Sequence, residues 1–207
     1  QPYCVYSSLK NTNLLSYMST NLLNYEEYNI NELEYNTPKP SKGNVFLANI
    51  IGNRTLFQSP ILKNMSGIAI DSKGCYIELE LNENHISFIN FLRKIDDFNV
   101  NYTCDNSLEW FNDKLPHEVI DDFYISTIQN KVFIDHKTGK KTFKNIFKCR
   151  IPTLKKKPNI NIYNNNREIV NWERLQENTD TVALIELKGL RFLNNQLICD
   201  WEIQQLK

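Results

Sequence analysis

Two segments of the chain alternate apolar and polar residues with a period of two, a pattern typical of half-buried strands. In Cys75–Leu81, apolar residues alternate with Tyr76, Glu78 and Glu80. Thr142–Ile151 alternates in a similar way. Its first face, predicted to point into the core, carries Phe143, Asn145, Phe147, Cys149 and Ile151. Its second face, predicted to point into solvent, carries Lys144, Ile146, Lys148 and Arg150.

The clearest helical pattern lies in the middle of the chain. In Asn84–Phe98, apolar residues recur at positions i, i+3, i+4 and i+7, namely Phe88, Phe91, Leu92 and Ile95. This spacing predicts an amphipathic helix with one buried stripe. A second helix is predicted over Pro116–Ile125, because a proline in the first turn suits a helix start.

Short apolar runs separated by turn residues indicate further strands on both sides of these helices. They are Asn44–Ile51, Arg54–Gln58, Lys131–Asp135, Asn159–Tyr163, Thr181–Leu187, Gly189–Leu193 and Leu197–Gln205. Many short strands joined by tight turns are typical of small barrels and sandwiches. The predicted fold is therefore mainly β with inserted helices (α+β), and we expect a small OB-fold-like barrel.

The first part of the chain differs from the rest in composition. Residues 1–42 are rich in Asn, Tyr, Ser and Leu, and they end near Pro38, Pro40 and Gly43. Apolar residues within Leu14–Tyr28 lie close to helical spacing. We predict an N-terminal arm over residues 1–42, with a short helix, and an OB-fold-like domain over residues 43–207. Such an arm could lie against the domain or exchange with a neighbouring chain in self-association.

A cluster of positive charge lies inside a chain whose formal net charge is zero. Residues 137–167 contain eight lysines, two arginines and no acidic residue. The remaining residues must therefore carry a net charge of −10. A basic surface concentrates anions, and nucleic acid is the commonest extended anion in a cell. A solvated lysine-rich hairpin that serves only solubility is the simpler alternative.

Aromatic residues occur among these cations, as expected for a groove that binds a single strand and stacks its bases. Phe143 and Phe147 share the predicted core face, so Phe133 and Tyr163 are the better stacking candidates. The predicted nucleic-acid-binding residues are Lys137, Lys140, Lys141, Lys144, Lys148, Arg150, Lys155, Lys156, Lys157, Tyr163, Phe133 and Arg167.

Signatures of catalysis are missing from the sequence. It contains no phosphate-binding Gly-rich motif, and its five cysteines are scattered singly, as buried thiols in a reducing compartment would be. The carboxylate pairs Asp96-Asp97 and Asp121-Asp122 lie on helix faces predicted to be solvated. We therefore expect no enzyme activity, no metal, no cofactor and no membrane span.

Several short blocks, spread over residues 35–205, resemble a known family. They are Tyr35-x-x-Pro38-Lys39-Pro40, Gln58-Ser59-Pro60, Gly67, Cys75–Leu81, 106–111 (NSLEWF), 147–152 (FKCRIP), 187–192 (LKGLRF) and 201–204 (WEIQ). They are similar to the replicative single-stranded-DNA-binding proteins of large nucleocytoplasmic DNA viruses, which are related to a type found in short-tailed phages. The resemblance implies an OB-fold that coats single-stranded DNA, with the functional residues on the basic strand Lys144–Arg150.

This resemblance implies a place of action in viral DNA replication or recombination, either at a replication site in the host cytoplasm or in the nucleus. A structural protein of the virus particle, such as a minor capsid or core component, is the alternative from another class. In that case the basic face would contact the genome or acidic neighbours, and the protein would be packaged in the virion. Independently of either function, the alternation of Leu197, Cys199, Trp201 and Ile203 predicts that Trp201 belongs to the core.

Overall fold

The computed structural model describes residues 22–72, 74–134 and 138–207. Its strands are β1 (Lys39–Pro40), β2 (Phe46–Asn49), β3 (Thr55–Gln58), β4 (Leu62–Asp71), β5 (Gly74–Leu81), β6 (Tyr124–Ile125), β7 (Ile128–Ile134), β8 (Lys141–Ile151), β9 (Thr153–Leu154), β10 (Lys157–Pro158), β11 (Asn161–Tyr163), β12 (Ile169–Val170), β13 (Asp180–Thr181), β14 (Ala183–Leu193) and β15 (Gln196–Leu206). Its α-helices are α1 (Ile86–Asp105), α2 (Ser107–Phe111) and α3 (His117–Phe123), and short 3-10 helices span Ile30–Glu32, Glu83–His85 and Trp172–Arg174.

Thirteen of the described strands form one large sheet, while β9 and β10 pair separately. The main path through this sheet runs β1-β2-β14-β15-β8-β5-β4-β13. Off this path, β3 pairs with β14, β7 pairs with β8, and the short β6 and β11 lie parallel to β15. The prediction of a mainly β protein with inserted helices is confirmed. The sheet is not closed into a barrel.

Helix α1 covers one face of the sheet and buries its apolar stripe there. Phe88, Phe91 and Leu92 are buried in a core that also contains Phe147 and Trp201 from the strands. The helix extends beyond the predicted end at Phe98, because Val100 and Thr103 continue the buried stripe. None of the helices in the described ranges is long and apolar enough to cross a membrane.

Strand β4 is the main element that the sequence pattern did not predict. Polar residues Asn64 and Ser66 and the glycine Gly67 interrupt its alternation, and its pairing with β5 shifts register between Asn64 and Ile68. Asn64 is nevertheless fully buried, because its side chain donates to the backbone oxygen of Gln176 at 2.8 Å. A buried amide with a partner is tolerated inside a sheet, but a period-two pattern cannot reveal it.

The described part of the predicted N-terminal arm lies against the domain. Leu33 and Tyr35 are buried, and the backbone of Leu23 donates to that of Leu56. The helix predicted over Leu14–Tyr28 begins outside the described residues, and its described part, residues 22–28, is not helical. Part of the arm therefore packs on the domain within one chain, and exchange with a neighbouring chain stays a prediction.

Gly189 lies where strand β14 pairs with Asn49 of β2. Its φ is +141°, and the pairing of β14 with β15 shifts register between Leu187 and Gly189. A Cβ at this position would lie 2.1 Å from the backbone oxygen of Ala48 and 2.9 Å from the Cα of Asn49. The close approach therefore requires glycine.

Candidate nucleic-acid interface

Three predicted cations of β8, Lys144, Lys148 and Arg150, lie on the sheet face opposite α1, and each of them faces a partner. Lys144 Nζ is 3.1 Å from Glu80 Oε2. Lys148 lies directly opposite Glu78 in the register of β5, and its Nζ is 3.5 Å from the ring centroid of Tyr76. These partners come from the neighbouring strand β5, so the centre of the basic strand is largely neutralised.

Arg150 belongs to a second charge group, which joins β8 to β14 and β15. Its Nε is 3.1 Å from Asp200 Oδ1, and its Nη2 is 2.5 Å from Glu202 Oε2. Arg191 Nη2 is 2.9 Å from the other Asp200 oxygen. Although burial works to lower the pKa of Arg150, the two carboxylates outweigh it and the pKa is raised. Arg150 is therefore held in place within the sheet surface.

A third group surrounds the buried carboxylate of Glu186 on β14. Arg54 donates to both of its oxygens, and Lys188 Nζ is 3.2 Å from Oε1. Burial works to raise the pKa of Glu186, but these two cations outweigh it and the pKa is lowered. With the Lys131–Glu78 pair, these contacts form a ladder of alternating charges across the face, which we call the charge ladder.

Ile146 is an exception to the predicted division of faces. It lies on the charged side of β8, yet it is fully buried and belongs to neither apolar cluster of the core. Its register neighbours are Glu80 on β5 and Gln129 on β7. Long polar side chains cover apolar surface with their stems, which accounts for its burial among charged neighbours.

We expect the double variant Lys144→Glu with Lys148→Glu to lower stability. Each new carboxylate would face Glu80 or Glu78, and like charges on adjacent strands repel. The lost pairs and the new repulsion together should cost about 1–3 kcal/mol, which thermal unfolding would measure. A melting temperature equal to that of the parent would contradict the charge ladder. This expectation differs from that of a free basic face, on which the same changes would leave stability unaltered.

Five predicted cations are exposed at the two ends of β8. Lys140 and Lys141 lie beside the turn of the β7–β8 hairpin. Lys155 and Lys156 form the turn between β9 and β10, and Lys157 is the first residue of β10. Within the described ranges, none of these five lysines lies in an ion pair. Since a strand rises about 3.3 Å per residue, β8 separates the two groups by about 35 Å.

The remaining predicted cations add little to this picture. Arg167 is exposed in the turn between β11 and β12, with a φ of +67°. Lys137 lies outside the described residues.

The most accessible aromatic ring of the hairpin is one that the sequence pattern assigned to the core. Phe143 is 71% exposed, and Val132, directly opposite it on β7, is 50% exposed. Ile134, opposite Lys141, is 51% exposed. The prediction that Phe143 is a core residue is therefore wrong. The strand continues past the part of the sheet that α1 covers, so its inward face becomes an exposed apolar surface between lysines.

The two aromatic residues predicted to stack on bases are less accessible. Phe133 is half-buried on the charged face, with Lys144 Nζ 5.7 Å from its ring centroid. Tyr163 is half-buried in β11, opposite Ile169 of β12. The apolar surface of Val132, Ile134 and Phe143 went unrecognised in the sequence. The nearest signal for it was the position of Phe143 only four residues after the turn glycine Gly139.

The predicted solvated carboxylate pair on α1 divides between core and surface. Asp97 is exposed as predicted, but Asp96 is only 8% exposed. Its carboxylate accepts hydrogen bonds from the Tyr124 hydroxyl at 2.7 Å and from the Thr127 backbone N–H at 2.8 Å. These bonds attach the β6–β7 segment to the helix. Within the described ranges, no cluster of three or more His, Cys, Asp or Glu side chains could hold a metal ion.

Comparison with known protein families assigns the sequence to one of them. The model of one protein family matches residues 68–207, about two thirds of the chain. The chain belongs to the family of unknown function DUF5871. No curated protein matches the sequence.

The family match includes the hairpin, the charge ladder strands and both groups of exposed lysines. It begins within β4, so β1, β2 and β3 lie before it. The family carries no assigned activity. The similarity to viral single-stranded-DNA-binding proteins therefore stays a prediction, and a function must be argued from the geometry.

Proposed function

We propose that the protein binds single-stranded DNA without sequence specificity, and that the β7–β8 hairpin is the centre of the contact. The observation that carries this proposal is the exposed ring of Phe143 beside Lys140 and Lys141. Phe143 forms an exposed apolar patch with Val132 and Ile134 on the same face of the hairpin, and such patches often mark interaction sites. Bases offer a partner for this patch, because every base has an aromatic face on which a ring can stack.

The charges near this ring suit the phosphates of the same strand. Lys140 and Lys141 are exposed and lie in no ion pair with the described residues, so they can exchange counterions for phosphates. The apolar side chains Val132 and Ile134 extend the surface available to bases. The contact thus combines the two parts that a single-strand groove needs, cations along the backbone and an aromatic platform.

The connectivity of the sheet favours an OB-type arrangement, which we propose for this domain. The longer strands β4, β5, β8, β15 and β14 follow one another in the sheet. β3, which precedes β4 by only three residues, pairs with β14 at the other end of this series. The chain thus nearly joins the ends of a five-strand set, and an OB-fold is a five-stranded, partly open Greek-key barrel that often binds oligonucleotides.

The charge ladder gives a reason why the contact should begin at the hairpin. The cations at the centre of β8 already have carboxylate or aromatic partners. A phosphate there would have to displace these partners. The lysines at both ends of β8 have no such competition from the described carboxylates, so we propose that a bound strand follows β8 from one end to the other. In a virus such a protein would coat DNA during replication or recombination.

Titration with fluorescent oligonucleotides at several salt concentrations tests the proposal. If the five exposed lysines each neutralise one phosphate, log affinity should fall with log salt with a slope of about −3.5, at about 0.7 per phosphate. Single strands should bind more tightly than duplexes, because stacking on Phe143 needs unpaired bases. Equal affinity for both forms, or no response to salt, would exclude this function.

Two variants and one control locate the contact. Phe143→Ala should lose about 1–3 kcal/mol of binding free energy, the range for one stacked base. Lys140→Glu with Lys141→Glu should reduce affinity strongly and make the salt slope shallower. The matched control, Lys94→Glu with Lys114→Glu, makes the same charge change at exposed lysines on α1 and after α2. An equal loss of affinity in the control would show that net charge alone, and not the hairpin, attracts the DNA.

A further inference from the structure

A cavity of about 370 Å³ lies near the turn between β14 and β15, beside the helices. Its wall includes four phenylalanines, which are Phe46 of β2, Phe111 of α2, Phe123 of α3 and Phe192 of β14. Both Phe46 and Phe123 are partly exposed, so the cavity opens to solvent. Its size falls within the range of about 300–1,000 Å³ that is typical of small-molecule sites.

One polar side chain in the wall has no hydrogen-bond partner. Thr103 of α1 is fully buried, and its Oγ1 forms no hydrogen bond within the described part of the chain. Buried hydroxyl groups almost always have a partner, since leaving one unpaired costs free energy. Thr103 lines the cavity, but its Oγ1 has almost no accessible surface. A molecule inside the cavity would therefore supply the missing partner after a small movement of the neighbouring side chains.

The other polar groups of the cavity are neutral. They are the amides of Asn44, Asn194, Asn195 and Gln196, and no charged side chain lines the cavity among the described residues. A charged ligand would lose its hydration there without gaining an opposite charge. Aromatic walls with few polar groups therefore select an uncharged, mainly apolar molecule.

We propose that this cavity binds a small neutral aromatic compound of about two rings, which carries one hydroxyl or similar group that hydrogen-bonds to Thr103 Oγ1. The ring lies between the phenylalanine side chains, and the amides lie near the polar edge of the compound. This inference does not depend on the proposed DNA binding. The cavity is lined by none of the exposed lysines of the hairpin or of the β9–β10 turn.

Calorimetric or NMR titration with three matched probes tests the site. Naphthol combines the ring and the hydroxyl, naphthalene lacks the hydroxyl, and naphthoate carries a negative charge. In the native protein we expect naphthol to bind about fivefold more tightly than naphthalene, the effect of one net hydrogen bond. Naphthoate should bind most weakly. Equal affinity of naphthol and naphthoate would overturn the assignment of a neutral ligand.

Thr103→Val removes the hydroxyl and keeps the shape of the side chain. In this variant the naphthol preference over naphthalene should disappear, while naphthalene affinity stays unchanged. The melting temperature should not fall, because the variant removes an unpaired buried hydroxyl. A preference that survives in the valine variant would show that Thr103 does not contact the ligand.

A second variant tests whether the probes bind in this cavity at all. Leu193→Trp places a larger side chain in the wall of the cavity, and it should abolish binding of both naphthol and naphthalene while cooperative unfolding is retained. Unchanged binding in this variant would place the probes elsewhere. An excess of oligonucleotide should not displace naphthol, and displacement would assign the cavity to nucleobases of bound DNA instead.

Discussion

Replacing Trp201 with alanine is expected to leave a protein that is unstable or insoluble. The side chain is only 2% exposed. Its ring centroid lies 5.8 Å from that of Phe147 and 6.2 Å from those of Phe57 and Phe91. Trp201 thus joins three strands of the sheet to helix α1. Truncation of such a side chain costs about 3–5 kcal/mol through lost burial and the cavity left behind, a large part of the stability of a typical domain.

Trp201→Phe provides the matched control. The indole Nε1 of Trp201 has no hydrogen-bond partner among the described residues. Phenylalanine keeps an aromatic ring and removes this unpaired donor, so its cost should be clearly smaller than that of alanine. Chemical denaturation monitored by circular dichroism would measure both variants. An alanine variant that stays soluble, melts cooperatively and has lost only DNA binding would reverse the assignment of Trp201 to the core.

Replacing Asp96 with alanine should destabilise the fold almost as strongly. The carboxylate accepts four hydrogen bonds, from Tyr124, Ser126 and both the backbone and the hydroxyl of Thr127. Alanine would leave the buried N–H and hydroxyl groups without a partner. Buried unpaired groups cost about 1–3 kcal/mol each, and since hydroxyls can rotate to other partners we expect a total of about 3–5 kcal/mol. Exchange of the Thr127 amide hydrogen should become faster.

The contribution of Asp96 to stability should decrease as pH rises. Burial raises the pKa of Asp96, although the hydrogen bonds from Thr127, Tyr124 and Ser126 partly oppose it. A carboxyl whose pKa is higher in the folded state holds its proton more tightly there. Its contribution to stability is therefore complete below the ordinary pKa near 4 and decreases as pH rises through the raised value.

The advantage of the native protein over Asp96→Ala should accordingly be larger near pH 4 than at neutral pH. Denaturant titrations at both pH values would measure it, and comparison between the two proteins cancels the contribution of other carboxyls such as Glu186. An advantage that grows with pH would mean that the hydrogen bonds outweigh burial and that the pKa of Asp96 is lowered.

The sequence predicted those parts of the fold in which local alternation and burial agree. Strand β5, the inner half of β8 and strand β15 follow a period of two because one face meets α1 and the other meets polar neighbours. Trp201 is buried as predicted. Where apolar and polar residues alternate and the apolar face is also the buried one, the pattern determines which side chains face the core. Knowledge of the neighbouring strands is then not needed.

The partners themselves could not be predicted from local pattern. Lys144 and Glu80 are separated by 64 residues, and Arg150 and Asp200 by 50. A count of cations within residues 137–167 therefore indicated a free basic face, whereas the sheet brings carboxylates from β5 and β15 beside it. The charge of a strand face depends on its neighbours, and strand order is a property of the whole topology.

The faces were mispredicted at two positions for a related reason. Phe143 is exposed because β8 continues beyond the helix, and Ile146 is buried because long polar side chains surround it. Alternation gives the direction of a side chain but not what covers it. The sequence therefore predicted the β7–β8 hairpin itself, but it assigned the most accessible ring of this hairpin to the wrong environment.

The glycine at position 189 links the family segment to the strands that precede it. Its missing side chain leaves room for the backbone of Ala48 and Asn49 in β2, yet the family match begins only at residue 68. The match therefore includes Gly189 but not the β2 residues whose backbone requires a glycine at this position. Among relatives, a glycine aligned with this position would indicate that an added edge strand covers β14 at the same point. A bulky residue there would indicate that this edge is open or differently covered, so one column of an alignment could distinguish two versions of the sheet.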